Sequence, residues 1–253
     1  ITGTLAGILV DQGVLDIKAK IVEYIPEMKG SAYEEATVRQ LMDMTIGIDF
    51  SEDYDDPESD IYLYSATSNA FYNPNKLTIH DALPEFKKKG DHGKKFHYVT
   101  ANTDVLGWVL ERASNRDLVE LLSTEIWSKL GAEHDAYVIA DLNNTPWVGG
   151  GINATLRDAA RFGLMMLKEG NINGNQVVSK DFVKDIQRNA INTGYWGVSY
   201  RSQWWVNKNL GSFSAEGVSG QVIMIFPIHD LIIVKFSSWP SLSGYHDKGW
   251  MYD

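Results

Sequence analysis

The sequence predicts an α+β fold, and three observations carry that prediction. Helical patterns come first, strand-like patterns cluster in the last third, and the two do not alternate as βαβ units would. The glycine cluster Gly149-Gly150-Gly151 follows no strand and lacks the Gly-x-Gly-x-x-Gly spacing, which disfavours a dinucleotide-binding sheet.

Each element has a local reason. Thr2 to Gln12 reads as an apolar helix with Gly13 as its stop. Val14 to Ile17 reads as extended and leads to a turn ending at Pro26. Thr37 to Thr45 puts Val38, Leu41, Met42 and Thr45 on one helical face. Asp49 to Tyr64 is acidic and rich in Tyr, and reads as a long surface loop. Thr78 opens a short helix interrupted at Pro84. Lys87 to Lys95, with five lysines and two glycines, reads as a solvated loop. After the extended run Phe96 to Thr100, ANTDVLGWVLERA reads as a helix, with Thr100 or Asn102 as N-cap and Asp104 in the first turn. Asp117 to Leu130 reads as a helix stopped by Gly131. Thr155, with Asp158 three residues on, opens another that ends at Gly170, and Lys180 to Arg188 gives a shorter one. Gln203 to Val206, Gln221 to Phe226 and Leu231 to Phe236 are rich in β-branched and aromatic residues; the last two read as an antiparallel hairpin.

Composition narrows the function classes. The 253 residues hold 23 Lys plus Arg against 33 Asp plus Glu, a net charge of −10. That balance disfavours nucleic acid, whose phosphates need a basic footprint. No apolar run approaches the roughly 18 residues of a membrane span. With no cysteine, a disulfide framework, a Cys-ligated metal and a cysteine nucleophile are excluded. The histidines, His80, His92, His97, His134, His229 and His246, never pair at i, i+4, so no metal is expected, and no cofactor either. Gly217-Val218-Ser219-Gly220-Gln221 is the nearest approach to a Gly-x-Ser-x-Gly elbow; it precedes a strand, and Ser219 reads as a turn or rim residue. No serine is followed three residues later by lysine.

Five segments in order resemble the serine β-lactamase-like hydrolases. The closer likeness is to the class C β-lactamase-related branch that holds 6-aminohexanoate-dimer hydrolases and β-lactamase-fold esterases. They are ITGTLAGILVDQGVLDIKAKIVEYIPE, TVRQLMDMTIGIDFSEDYDDPESD, FHYVTANTDVLG, GGGINATLRDAARFGLMML and SAEGVSGQVIMIFPIHDLIIV. The resemblance implies a β-lactamase/transpeptidase-like fold: an antiparallel sheet flanked by helices plus a mostly helical region, with the site between them. It places one domain over 1–253, mostly helical over 30–170, with the sheet portion over 195–253. It implies acyl transfer to water on a small ester or amide substrate.

Residue by residue, Tyr98 matches the family's motif-two tyrosine, a base only if nearby positive charge stabilises its phenolate or a proton is passed through a Lys. Thr100 takes the place of the Asn or Ser of Tyr-x-Asn. Ala215-Glu216-Gly217 stands at the Lys-Thr-Gly motif, so no cation is available there for a substrate carboxylate. Val218 would offer its backbone N–H to the oxyanion, a donor worth about 2.7–4 kcal/mol. Ala215, Gly217, Ser219 and Tyr54 are the implied substrate-binding positions, Tyr54 from the acidic loop. Trp147, Trp196, Trp204 and Trp205 read as core or rim packing. The motif-one Ser and Lys are expected just upstream of Ile1, because Ile1 to Val10 already reads as a helix interior with no cap. The chain alone is therefore expected to be an inactive, incomplete domain whose sheet lacks its first strands, leaving an apolar edge and an open face.

Overall fold

The computed structural model describes residues 1–69, 73, 76–195 and 197–239. Trp196, His246 and the final residues 240–253 of the expected sheet portion lie outside the described residues. The helices are α1 (Thr2–Asp11), α2 (Ile21–Tyr24), α3 (Val38–Met42), α4 (Asp60–Ser65), α5 (Ile79–Ala82), α6 (Ala101–Ser114), α7 (Leu118–Leu121), α8 (Leu156–Leu167) and α9 (Lys180–Arg188). Two short ladders pair β1 (Tyr137–Val138) with β2 (Ile152–Asn153) and β3 (Asn171–Ile172) with β4 (Asn175–Gln176). The main sheet is antiparallel, in order β10-β9-β8-β7-β6-β5. Its strands are β5 (Ile191–Asn192), β6 (Val198–Arg201), β7 (Trp204–Asn207), β8 (Ser212–Gly217), β9 (Gln221–Phe226) and β10 (Leu231–Lys235). Helices come first and an antiparallel sheet last, so the fold is α+β.

Side-chain caps form at three of the helix starts read from the sequence, and not at Thr100. Thr37, Thr78 and Thr155 each accept the backbone N–H three residues on. Gly13, Gly131 and Gly170 take positive φ just past helices or helical turns.

Four local readings are corrected. Val14 to Ile17 forms no strand. The acidic stretch Asp49 to Tyr64 is not all loop, because α4 begins at Asp60. The helix expected over Asp117 to Leu130 is broken: after α7 the backbone widens into a π turn (Leu122–Ile126) and then tightens into a 3₁₀ turn (Trp127–Lys129). Finally, β6 and β8 fall inside the expected sheet portion, though the residues there were not read as strands. Their Ser, Arg, Ala and Glu residues carry weak strand propensity, and pairing on both sides supplies the rest.

The sheet divides the molecule. Strand alternation sends Trp204 and Trp205 to opposite faces. Trp204 enters the core, stacked on Phe162 of α8 at 5.9 Å and edge-on to Phe213 at 5.3 Å. Its indole N–H donates to the Thr4 hydroxyl of α1 at 3.3 Å. This core joins Leu5 and Leu9 of α1, Val105 and Leu106 of α6, Met165 of α8 and Ile186 of α9 to the sheet. Trp205 packs on the other face with Tyr200 and Met44, toward the segment that carries Tyr98. β10 is the last strand on its side of the sheet among the described residues, with Leu231 and Ile233 exposed. No described helix is long and apolar enough to cross a membrane.

Candidate active site

Tyr98 lies in the extended run before α6 and is held by rings. It stacks on Trp205 (centroids 5.6 Å apart, planes 19° from parallel) and meets Tyr200 edge-on at 6.2 Å. Tyr200 and Trp205 are cross-strand partners on β6 and β7, and Phe96 packs against both. Burial raises the Tyr98 phenol above its ordinary pKa, and the carboxylates of Glu52, Glu216 and Asp104 raise it further.

Thr100 sits at the N-cap position of α6, but its side chain does not cap. Instead its hydroxyl donates to Glu52 Oε1 and its backbone N–H donates to Glu52 Oε2 at 2.9 Å. The Tyr54 hydroxyl donates to Glu52 Oε1 at 2.7 Å. Glu52 thus gathers Tyr54 and Thr100 beside Tyr98, and burial raises its own pKa against these three hydrogen bonds. The sequence reading missed Glu52. Nothing in an acidic loop distinguishes one carboxylate from its neighbours until the chain folds over it. Trp205, expected to be core or rim packing, does pack, and the ring it stacks on is Tyr98.

The motif-three positions lie at the end of β8. Glu216 accepts from the Ser214 hydroxyl at 2.6 Å, two residues back on the same face. Ser214 in turn pairs with Trp205, so Glu216 lies on the face toward Tyr98. Ala215 points the other way and packs against the core. Gly217 pairs with Gln221 across the turn into β9. Val218 is 46% exposed. Ser219 takes φ 59°, and its carbonyl accepts from the Ser237 hydroxyl at 2.8 Å and the Trp239 N–H at 3.2 Å.

Behind Thr100, Asp104 is 3% exposed. It accepts from the Tyr64 hydroxyl at 2.7 Å and from the Gly149 N–H at 2.9 Å. This explains the first glycine of the cluster, because a Cβ on Gly149 would stand 2.7 Å from Asp104 Oδ2 and 2.9 Å from Thr100 Cγ2. Gly149→Ala is expected to cost about 1–3 kcal/mol through overpacking, read by urea denaturation. Gly150→Ala, whose Cβ meets only the Trp147 ring at 3.2 Å, is expected to cost less.

Asp104 also predicts a pH dependence. Burial pushes its carboxyl up to about 7, against the hydrogen bonds it accepts. The folded protein therefore holds this proton more tightly than the unfolded chain. The group's contribution to stability is complete below about pH 4 and is lost as pH rises to about 7, at up to ~1.4 kcal/mol per pH unit. Asp104→Asn is expected to flatten the unfolding free energy across that window.

Among the described residues no group of three His, Asp or Glu is placed to hold a metal. The site is instead a phenol framed by aromatic rings, facing a strand end with an exposed turn. Residues 1–253 match the Beta-lactamase family. The chain belongs to that family. Over 98% of its length it is 38% identical to a 6-aminohexanoate-dimer hydrolase of Paenarthrobacter ureafaciens. Among solved structures it resembles a candidate 6-aminohexanoate-dimer hydrolase from Bacillus anthracis, with 33% identity, 96% of this chain covered and a TM-score of 0.84. The chain spans 66% of the length of each of these two relatives. A family VIII carboxylesterase shares the fold alone, at 15% identity and a TM-score of 0.70 over 95% of this chain and 75% of that one. The β-lactamase/transpeptidase-like architecture expected from the five segments is the one observed.

Proposed function

We propose that the full-length protein is a serine hydrolase that cleaves a small linear amide or ester through an acyl-enzyme. Its nucleophile Ser and the Lys three residues later lie upstream of Ile1. The observation that carries this reading is the setting of Tyr98. Its phenol is fixed by Trp205 and Tyr200, yet the charges that shift it are all carboxylates. A phenol so placed serves as a base only when a cation joins it, and the motif-one Lys is that cation.

In this reading Tyr98 takes the serine proton and returns it to the leaving group. The Val218 N–H and the nucleophile's own N–H hold the oxyanion. Thr100 acts through Glu52, because its hydroxyl is already given to that carboxylate. Tyr54 and Glu52 meet the substrate from the acidic loop, Gly217 and Ser219 from the turn after β8, and Ala215 supports that turn from the core side.

The substrate follows from the charges. Glu52 and Glu216 flank the phenol, and Ala215 stands where β-lactamases carry a lysine for the substrate carboxylate. A neutral or cationic acyl group is therefore favoured over a β-lactam or a D-amino peptide. A linear amide bearing an amine, the chemistry in the name of the 38% identical relative, fits best.

A fluorophosphonate probe on the full-length protein tests the reading. The expected result is one labelled serine, upstream of Ile1 and three residues before a lysine. An unlabelled protein, or label on Ser219, overturns it in favour of a non-catalytic binding relative or another nucleophile.

A further inference from the structure

The turn joining β6 to β7 is built against its own preference. Ser202 and Gln203 both take positive φ, 51° and 64°, in a two-residue connection between the paired Arg201 and Trp204. This is a type I′ hairpin, for which Asn-Gly is the favoured pair. With no glycine in the turn, surrounding contacts must hold it.

Asp43 supplies most of that hold. Its carboxylate, 5% exposed, accepts from the Ser202 N–H at 2.9 Å and the Arg201 guanidinium at 2.7 Å. Arg39 donates to Asp43 at 3.2 Å and to the Ser202 hydroxyl at 2.8 Å. The Met42 carbonyl accepts the Gln203 N–H at 3.0 Å. Arg201 continues to Asp185 on α9 at 2.7 Å.

Three parts of the site rest on this turn. Gly3, in the first turn of α1, lies against it so closely that a Cβ would overlap the Ser202 carbonyl. The Gln203 side chain donates to Thr103 on α6 at 3.1 Å. Met44, the residue after Asp43, is held at φ 53°. Its carbonyl accepts the His97 N–H at 2.7 Å, and its side chain packs on Tyr200 and Trp205, the rings that frame Tyr98.

We propose that Asp43 is a positioning residue: by clasping the Ser202–Gln203 turn, it fixes Tyr98 relative to the start of α1. The inference rests on the reading of Tyr98 as the base, since the start of α1 is where the nucleophile would be presented. Misplacing a base by a fraction of an ångström slows proton transfer without changing substrate affinity.

The test uses the full-length enzyme with p-nitrophenyl acetate. Asp43→Asn is expected to lower kcat by about tenfold or more with KM nearly unchanged, and to alter the near-ultraviolet circular dichroism of the Tyr98–Trp205 stack. Asp185→Asn breaks the other ion pair of Arg201 without touching the turn. It is expected to lose comparable thermal stability and keep its kcat. Asp43→Glu, which keeps a carboxylate acceptor for the Ser202 N–H and the Arg201 guanidinium, is expected to retain more of kcat than Asp43→Asn. Equal kcat losses in Asp43→Asn and Asp185→Asn, a loss confined to KM, or no advantage of Glu over Asn at position 43 overturns the proposal. If Asp43→Asn fails to fold, Asp43→Glu carries the test, and failure of both overturns it, because Asp43 is then a general stability residue. The dichroism separates this idea from the base assignment: full activity in Tyr98→Phe overturns that assignment, whatever Asp43→Asn does to the stack.

Discussion

Tyr98→Phe in the full-length enzyme is expected to lower kcat for ester hydrolysis by about 10²–10⁴-fold, the usual weight of a positioned acid–base group, with KM within a few-fold. The change is a clean one. Trp205 and Tyr200 hold the ring through its faces and edge, so Phe keeps the stack and loses only the hydroxyl. Retained near-ultraviolet dichroism would confirm that the ring stays in place. The pH profile gives a second reading of the same residue. Burial and three carboxylates raise the phenol's pKa, so a wild-type limb near neutrality requires an opposing cation. If the proposed motif-one Lys is that cation, neutralising it is expected to move the limb to higher pH. Unchanged hydrolysis by Tyr98→Phe would remove the phenol from the mechanism.

What the sequence made legible follows from the range of each interaction. Helix starts at Thr37, Thr78 and Thr155 depend on residues three apart, and the stops at Gly13, Gly131 and Gly170 on the glycine itself, so these features were readable. The strands β6 and β8 depend on partners across the sheet; their own composition did not announce them. Tyr98 is a candidate that the resemblance supplies, on a short motif that reads Tyr-x-Thr here. Glu52 is not, because its importance arises only when Thr100 and Tyr54, near and far along the chain, converge on one carboxylate. The same holds for Asp43, whose partners Arg201 and Ser202 lie more than 150 residues away. Local signals thus locate the helix starts, and the resemblance supplies the candidate phenol. The charges and clasps around the phenol became visible only in three dimensions.

Those charges make Glu216 the most direct probe of substrate choice. Glu216→Lys places a cation where a carboxylate now faces Tyr98. In the wild-type enzyme, kcat/KM for an acyl group ending in an ammonium is expected to exceed that for a matched carboxylate-ended substrate by about tenfold or more. The reason is that unit charges several ångströms apart interact by a few kcal/mol near a protein surface. The Lys variant is expected to reverse the order, for a total swing of about a hundredfold, or about 2.7 kcal/mol. Two effects act together in it: repulsion of the ammonium and attraction of the carboxylate. High salt is expected to shrink the swing, because the end of β8 is only partly buried and exposed charges are screened. A neutral ester of equal length serves as the control, and its kcat/KM is expected to move much less. A cation beside Tyr98 also lowers the phenol's pKa, so all three substrates must be compared at several pH values. The selectivity ratio then isolates recognition from base strength, because a change in Tyr98 acts on every substrate alike. A ratio that does not move on charge reversal would place the acyl group's charged end away from Glu216 and leave Glu52 and Tyr54 as the rim that reads it.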